Sequence, residues 1–368
     1  MKGRVEWIDI SKGIGIILVV LGHAPTDDAL KSFIFSFHMP LFFFLSGAVY
    51  RDTGLGFFQF ALKKARGLLV PYAVFSVITY LFWLLVERHF QFIGSADVDP
   101  AVPLKGIVYS IPDHYMLTHN PALWFLTCLF LVDIVFFLLK KACRGKWLIL
   151  IAGSCLVSAV NVYVLHISLL WNAEVAAAAL GFYTIGFVLR NKLKELSYRR
   201  TFFAVAVCFS LTALLQMENT RVDMRANEYG NMLIFYLTAA LGTGGVIFAS
   251  FKLRKLAFLQ FLGRNSLIIL VLHYPILRTM EAVVYYVLNI PVSSTYQAGW
   301  GILYTAAAFA ALVPFIFFFK RYPVLFGKPL AKRRVYGIRG LFPGKYREYK
   351  VVLRADEKKK FSVIISIL

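Results

Sequence analysis

Ten separate apolar runs, each long enough to cross a bilayer, dominate this chain and leave it few folds. Their approximate limits are 8–24, 33–49, 68–87, 121–140, 147–166, 173–190, 201–217, 232–250, 265–288 and 299–319. In hydrocarbon a backbone N–H or C=O has no water to bond, so each run must close its hydrogen bonds on itself as a helix. The expectation is an all-α polytopic membrane protein with about ten transmembrane helices. The connecting charges alternate. Lys63, Lys64 and Arg66, then Lys140, Lys141 and Arg144, then Lys192 and Lys194, then Lys252, Arg254 and Lys255 fall in the even-to-odd connections, while the odd-to-even connections are neutral or acidic. The positive-inside tendency then puts both termini in the cytoplasm. A net charge of +21 would suggest nucleic acid in a soluble protein. Here the basic residues lie between apolar runs in a chain that is 59% hydrophobic, so the expected partner is the lipid bilayer and not nucleic acid. The first run carries Asp and Lys and is followed by nine more, which reads as a retained helix of a multi-pass inner (plasma) membrane protein and not as a cleaved signal.

That first run, WIDISKGIGIILVVLGH over Trp7–His23, holds three ionisable side chains among Ile, Leu, Val and Gly. Lys12 and His23 are eleven positions apart, close to three helical turns, so they share a face roughly 16 Å from end to end. Asp9 is one turn before Lys12, within reach of its ammonium, and pairing is its expected role. Ionisable groups inside a span face the bundle and mark functional paths. The stripe therefore suits a charged ligand at one end and proton chemistry at the other.

Further candidates sit at matching depths. His38, in FSFHMPLFFFLSG, lies near the outer start of the second span, where Pro40 should bend or open the helix. It could serve core hydrogen bonding or contact substrate, and Ser46 and Gly47 suit close helix packing. Trp124 begins the fourth span and reads as an interfacial anchor or as a ring for stacking on sugar. His273 falls near mid-membrane just before Pro275, a costly place for an idle imidazole. Glu174, with Asn161 and Asn172, could line an acceptor site. Asp133 needs a cationic partner, for which Lys12 is one candidate. On the cytoplasmic side Lys63 and Arg66 share a helix face and suit either topology or phosphate binding. Arg264 adjoins a helix start that Asn265 or Ser266 could cap, an arrangement that favours anions.

Cys128, Cys143, Cys155 and Cys208 show no CxxC spacing, so neither a metal site nor a disulfide framework is expected. From about residue 321 to 368 the chain becomes strongly basic, which reads as a solvated cytoplasmic tail attracted to anionic headgroups, apart from a membrane domain at 1–320. Its closing FSVIISIL is too short to span.

Five pieces together, WIDISKGIGIILVVLGH, FSFHMPLFFFLSG, LKKARGLLVPY, ALWFLTCLF and FLGRNSLIILVLH, resemble the integral-membrane acyltransferase family 3, and most its fucose 4-O-acetylase-like branch. The resemblance implies a ten-helix core that moves an acyl group, usually acetyl, from cytoplasmic acetyl-CoA to a carbohydrate hydroxyl. Where the family has an arginine, ten intervening residues and then the first-helix histidine, this chain has Lys12, ten residues and His23, which keeps the cation and loses the planar fork. Lys63 and Arg66 resemble the family's paired arginines at the third helix.

Combined with the topology, the resemblance implies CoA phosphates near Lys12, Lys63, Arg66 and Arg264, with the pantetheine arm running outward along the first helix. His23 would be general base on the acceptor hydroxyl, or would carry the acyl group itself. His38, Trp124 and His273 would shape the acceptor pocket. The alternative is a transporter of a sugar-linked or anionic solute that uses the same intramembrane charges as a path. The residues leave the acceptor open between polysaccharide, lipid-linked precursor and free sugar, and they leave the oligomeric state open as well.

Overall fold

The computed structural model describes residues 5–92, 94–111, 115–194, 201–253, 255–328, 335–337, 350–355 and 361–366. In chain order its helices are α1 (Glu6–His23), α2 (Asp28–Phe35), α3 (His38–Ala48), α4 (Phe57–Leu85), α5 (Ala101–Tyr109), α6 (Trp124–Cys143) and α7 (Trp147–Val160). They continue with α8 (Ala173–Leu189), α9 (Thr201–Met217), α10 (Met232–Lys252), α11 (Ala257–Arg264), α12 (Ser266–Tyr286) and α13 (Ala298–Lys320). Every apolar run of the sequence falls on one of these helices or on a pair of them. Eight helical segments among the described residues are long and apolar enough to cross a membrane. The other two runs are α1, which carries Glu6, Asp9 and Lys12, and α9, whose apolar stretch is short. The membrane region is all-α and polytopic.

Helix α1 occupies the middle of the bundle, packed by α3, α10, α11, α12 and α13. Trp7, Ile10, Ile16, Val19 and Val20 are all buried, because neighbours surround the helix on most sides. Small residues set the closest approaches. A Cβ at Gly47 of α3 would strike the backbone carbonyl of Tyr183 in α8, and one at Gly186 of α8 would strike that of Phe44 in α3. Gly13 of α1 and Gly263 of α11 form a second reciprocal pair. Backbones this close gain dispersion contacts that larger side chains would prevent.

Proline governs two other features. The second span is broken between α2 and α3 at Ser36 and Phe37, just ahead of Pro40, as its position in the sequence suggests. In α12, Pro275 has no N–H for the carbonyl four residues earlier, and the Asn120 side-chain amide donates to that freed Val271 oxygen at 3.0 Å.

Three details differ from the sequence expectations. Asp133 is paired with Lys64 (2.6 Å) and accepts from the Tyr183 hydroxyl (2.7 Å), so its cationic partner comes from α4 and not from Lys12. Asn265 makes no side-chain cap on α12; its amide donates back to the Phe261 carbonyl at 2.6 Å and closes α11 instead. The basic tail does not begin as a solvated segment. Residues Pro323–Phe326 form a 3-10 turn whose Phe326 is buried against Phe75 of α4, ring centroids 5.3 Å apart. Further on, β1 (Val335–Gly337), β2 (Lys350–Ala355) and β3 (Phe361–Ser366) form an antiparallel sheet in that order, and the closing FSVIIS is its third strand.

Candidate active site

A cavity of about 710 Å³ opens at the end of the bundle where α1 finishes. Val19, Gly22 and His23 of α1, Lys31 and Phe35 of α2, and His38 and Met39 of α3 form one wall. Trp124 of α6, Leu270, Tyr274 and Arg278 of α12, and the 221–226 loop complete it. The structure thus brings His23, His38 and Trp124 to one space. His273 stands directly against His23, its ring edge-on with centroids 5.1 Å apart, and is fully buried.

The three imidazoles share one arrangement. In each, Nδ1 lies on a carbonyl of the preceding helical turn: His23 on Val19 at 2.8 Å, His38 on Ile34 at 2.9 Å, and His273 on Leu270 at 2.8 Å. A carbonyl can only accept, so Nδ1 carries the proton and Nε2 keeps a lone pair. His38 achieves this across the break between α2 and α3, because Ile34 precedes the break and His38 follows it. His273 Nε2 has no hydrogen-bond partner. These are imidazoles held as proton acceptors.

Tyr274 lies beside His23, ring edge-on at 6.3 Å. Its hydroxyl oxygen accepts from Arg278 Nη2 at 2.8 Å and Nε at 3.2 Å. Arg278 is in turn held by Glu281 at 2.7 Å and lies 3.6 Å from Glu87. A tyrosine oxygen occupied by a guanidinium still has its own proton to donate. Around the mouth Lys31 and Arg221 add positive charge, while Arg225 is paired with Asp223 at 3.2 Å. Just outside the sixth helix, burial pushes the His119 imidazole down to about 4, which keeps it neutral where it packs edge-on to Tyr80.

The remaining predicted residues lie elsewhere. Glu174 is not a lining residue of this cavity; its buried carboxylate accepts from the Leu169 N–H at 2.9 Å and holds the turn before α8. Lys12, Lys63, Arg66 and Arg264 do not line the cavity either. Lys63, Arg66 and Arg264 are exposed, and Arg264 is paired through Nε with Asp9 at 3.1 Å. Asp9 thus has a structural pairing role, with Arg264 as a partner. Along α1 the cavity reaches inward to Val19, and Ile16 and Val20 below it are fully buried. Sequence reasoning missed Tyr274, Arg278 and the 221–225 loop. Arg278 and Glu281 were visible as ionisable residues within the ninth run, the same signal that singled out His273.

No curated protein and no solved structure matches this chain. Its sequence matches the acyltransferase domain over residues 5–320. That span takes in the whole helical bundle with its cavity, and the chain belongs to the membrane acyltransferase family 3.

Proposed function

We propose that this acyltransferase moves an acetyl group from acetyl-CoA to a hydroxyl of a carbohydrate acceptor at the outer face of the plasma membrane. The observation that carries the reading is His23. It lines a membrane cavity beside a second imidazole, with Nδ1 tied to the backbone and Nε2 left to accept a proton. Acetyl-CoA supplies an acyl carbon already activated as a thioester. His23 Nε2 takes the proton of the acceptor hydroxyl as its oxygen attacks that carbon. Tyr274, its oxygen held by Arg278, donates a hydrogen bond to the oxyanion that develops. When the carbon–sulfur bond breaks, the imidazolium returns the proton to the departing thiolate. Trp124 offers a ring on which a sugar can stack, and His38 shapes the wall facing His23. His273 steadies the charged form of its neighbour.

On this reading Lys12, Lys63, Arg66 and Arg264 meet the donor phosphates at the opposite end of α1. The arm reaches His23 by parting α1 from its neighbours beyond Val19.

The test is purified protein in detergent with radiolabelled acetyl-CoA and a carbohydrate acceptor. Wild type is expected to consume thioester, whereas a transporter would move solute across sealed vesicles and leave the thioester intact. His23→Ala is expected to lower transfer by about 10²–10⁴-fold while eluting as a folded protein. Full activity in that variant would refute the assignment of the base.

A further inference from the structure

Four cationic side chains, Lys31, Arg221, Arg225 and Arg278, line the cavity that holds His23. They gather at the end of the bundle that the alternation of loop charge predicts to lie outside, where the positive-inside tendency disfavours Lys and Arg. Topology therefore gives no account of them. Two of the four are neutralised within the protein. Arg278 is held by Glu281 at 2.7 Å, with Glu87 at 3.6 Å, and Arg225 by Asp223 at 3.2 Å.

Lys31 and Arg221 are different. Among the described residues they make no ion pair, although Asp28 lies one turn before Lys31 on α2. Both rest on aromatic rings instead. The Lys31 ammonium stands over Tyr296, just ahead of α13, at 5.1 Å from the ring centroid, and the Arg221 guanidinium stands over Phe35 at 5.8 Å. A ring face holds a cation in place and leaves its charge uncancelled. Lys31 and Phe35 are one turn apart on α2, so both charges belong to one wall of the cavity. The Phe35 ring also adjoins the imidazoles, with centroids 6.0 Å from His23 and 4.9 Å from His38. It bridges the guanidinium and the proton acceptor.

Two like charges held beside one half-open space repel each other, and an anion between them relieves the repulsion. The guanidinium fork matches the paired oxygens of a carboxylate or a phosphate. We infer that the acceptor carries such an anionic group, bound by Lys31 and Arg221 while a neighbouring hydroxyl of the same molecule lies at His23. The inference rests on the reading of this cavity as the place of acyl transfer to carbohydrate. It adds that the site selects acidic acceptors over neutral ones.

The experiment uses the full-length protein, radiolabelled acetyl-CoA and deacetylated cell-envelope glycan from the producing cell, cleaved to small fragments and separated by anion exchange into neutral, carboxylate-bearing and phosphate-bearing fractions. One acidic fraction is expected to show a kcat/KM about tenfold or more above the neutral fraction, the gain that a charge-assisted hydrogen bond confers. Carboxyl reduction abolishes that preference if the anion is a carboxylate, and phosphatase treatment abolishes it if the anion is a phosphate. Lys31→Gln and Arg221→Gln are each expected to bring the acidic-to-neutral ratio toward one. A variant that only loosened the fold would lower both rates and keep their ratio. Equal kcat/KM across the fractions, labelling confined to the neutral fraction, or an unchanged ratio in both variants would overturn the anion site and leave the transferase reading standing. Labelling of none of the fractions would overturn the carbohydrate-acceptor reading beneath it.

Discussion

At the scale of single residues, His23 and Tyr274 divide the polar work of the cavity by what their other atoms are doing. The imidazole has committed its only N–H to Val19 and can take a proton; the phenol has committed its oxygen to Arg278 and can give a hydrogen bond. Tyr274→Phe removes that donor and keeps the ring against His23. It is expected to lower kcat by about 10²-fold with little change in KM, since the bond is made to charge that exists only in the transition state. An unchanged kcat would remove Tyr274 from the chemistry. Glu174 shows the opposite case. A buried carboxylate near the expected acceptor face reads as functional, yet it accepts from the N–H of Leu169 five residues earlier and lies outside the His23 cavity. From sequence the two cases look alike, because a side chain's partner is decided by the fold and not by its depth.

At the scale of elements, the helices were legible because lipid leaves the backbone no other way to satisfy itself; most run limits fall near the helix limits, while α4 starts at Phe57, well ahead of the run at 68–87, because its first turns carry Lys63, Lys64 and Arg66. The break ahead of His38 was legible from Pro40. Less visible was how tightly particular helices approach. Gly47 reads as a close-packing residue from sequence, but that its partner is Gly186, across the pairing of α3 with α8, is set by the fold. Replacing either by Ala is expected to cost about 1–3 kcal/mol of stability through overpacking, seen as a lower melting temperature in detergent. Gly153→Ala in α7, where an added Cβ meets nothing within 4 Å, is expected to be neutral or stabilising. Equal effects at all three positions would mean that the close approach does not matter. The 221–230 loop was illegible for a related reason. Its shape depends on an isolated bridge between Asp223 and Glu228 and on an amide from a distant turn, and no local pattern announces either.

At the scale of the whole molecule, the alternation of loop charge predicts that the two ends of the bundle lie on opposite sides of the membrane, with the His23 cavity outside. In a background lacking the four native cysteines, Thr220→Cys on intact cells is expected to react with an impermeant maleimide. Lys146→Cys should react only after the cells are opened. The reverse pattern would turn the protein over and place the acceptor in the cytoplasm. The site itself draws on segments from α1 to α12, so its outline was partly readable from the few polar residues in apolar runs. The groups that close it come from loops that no single run contains.

The bond from Asn120 to the Val271 carbonyl bears on biogenesis. Pro275 leaves a gap in the ninth span that a residue made 151 positions earlier has to occupy. During synthesis the first half of the protein would therefore sit in the membrane with its imidazoles on α1 and α3 in place but nothing opposite them. Ribosomal products cut short before α12 would lack His273, Tyr274 and Arg278, and with them the wall that faces His23.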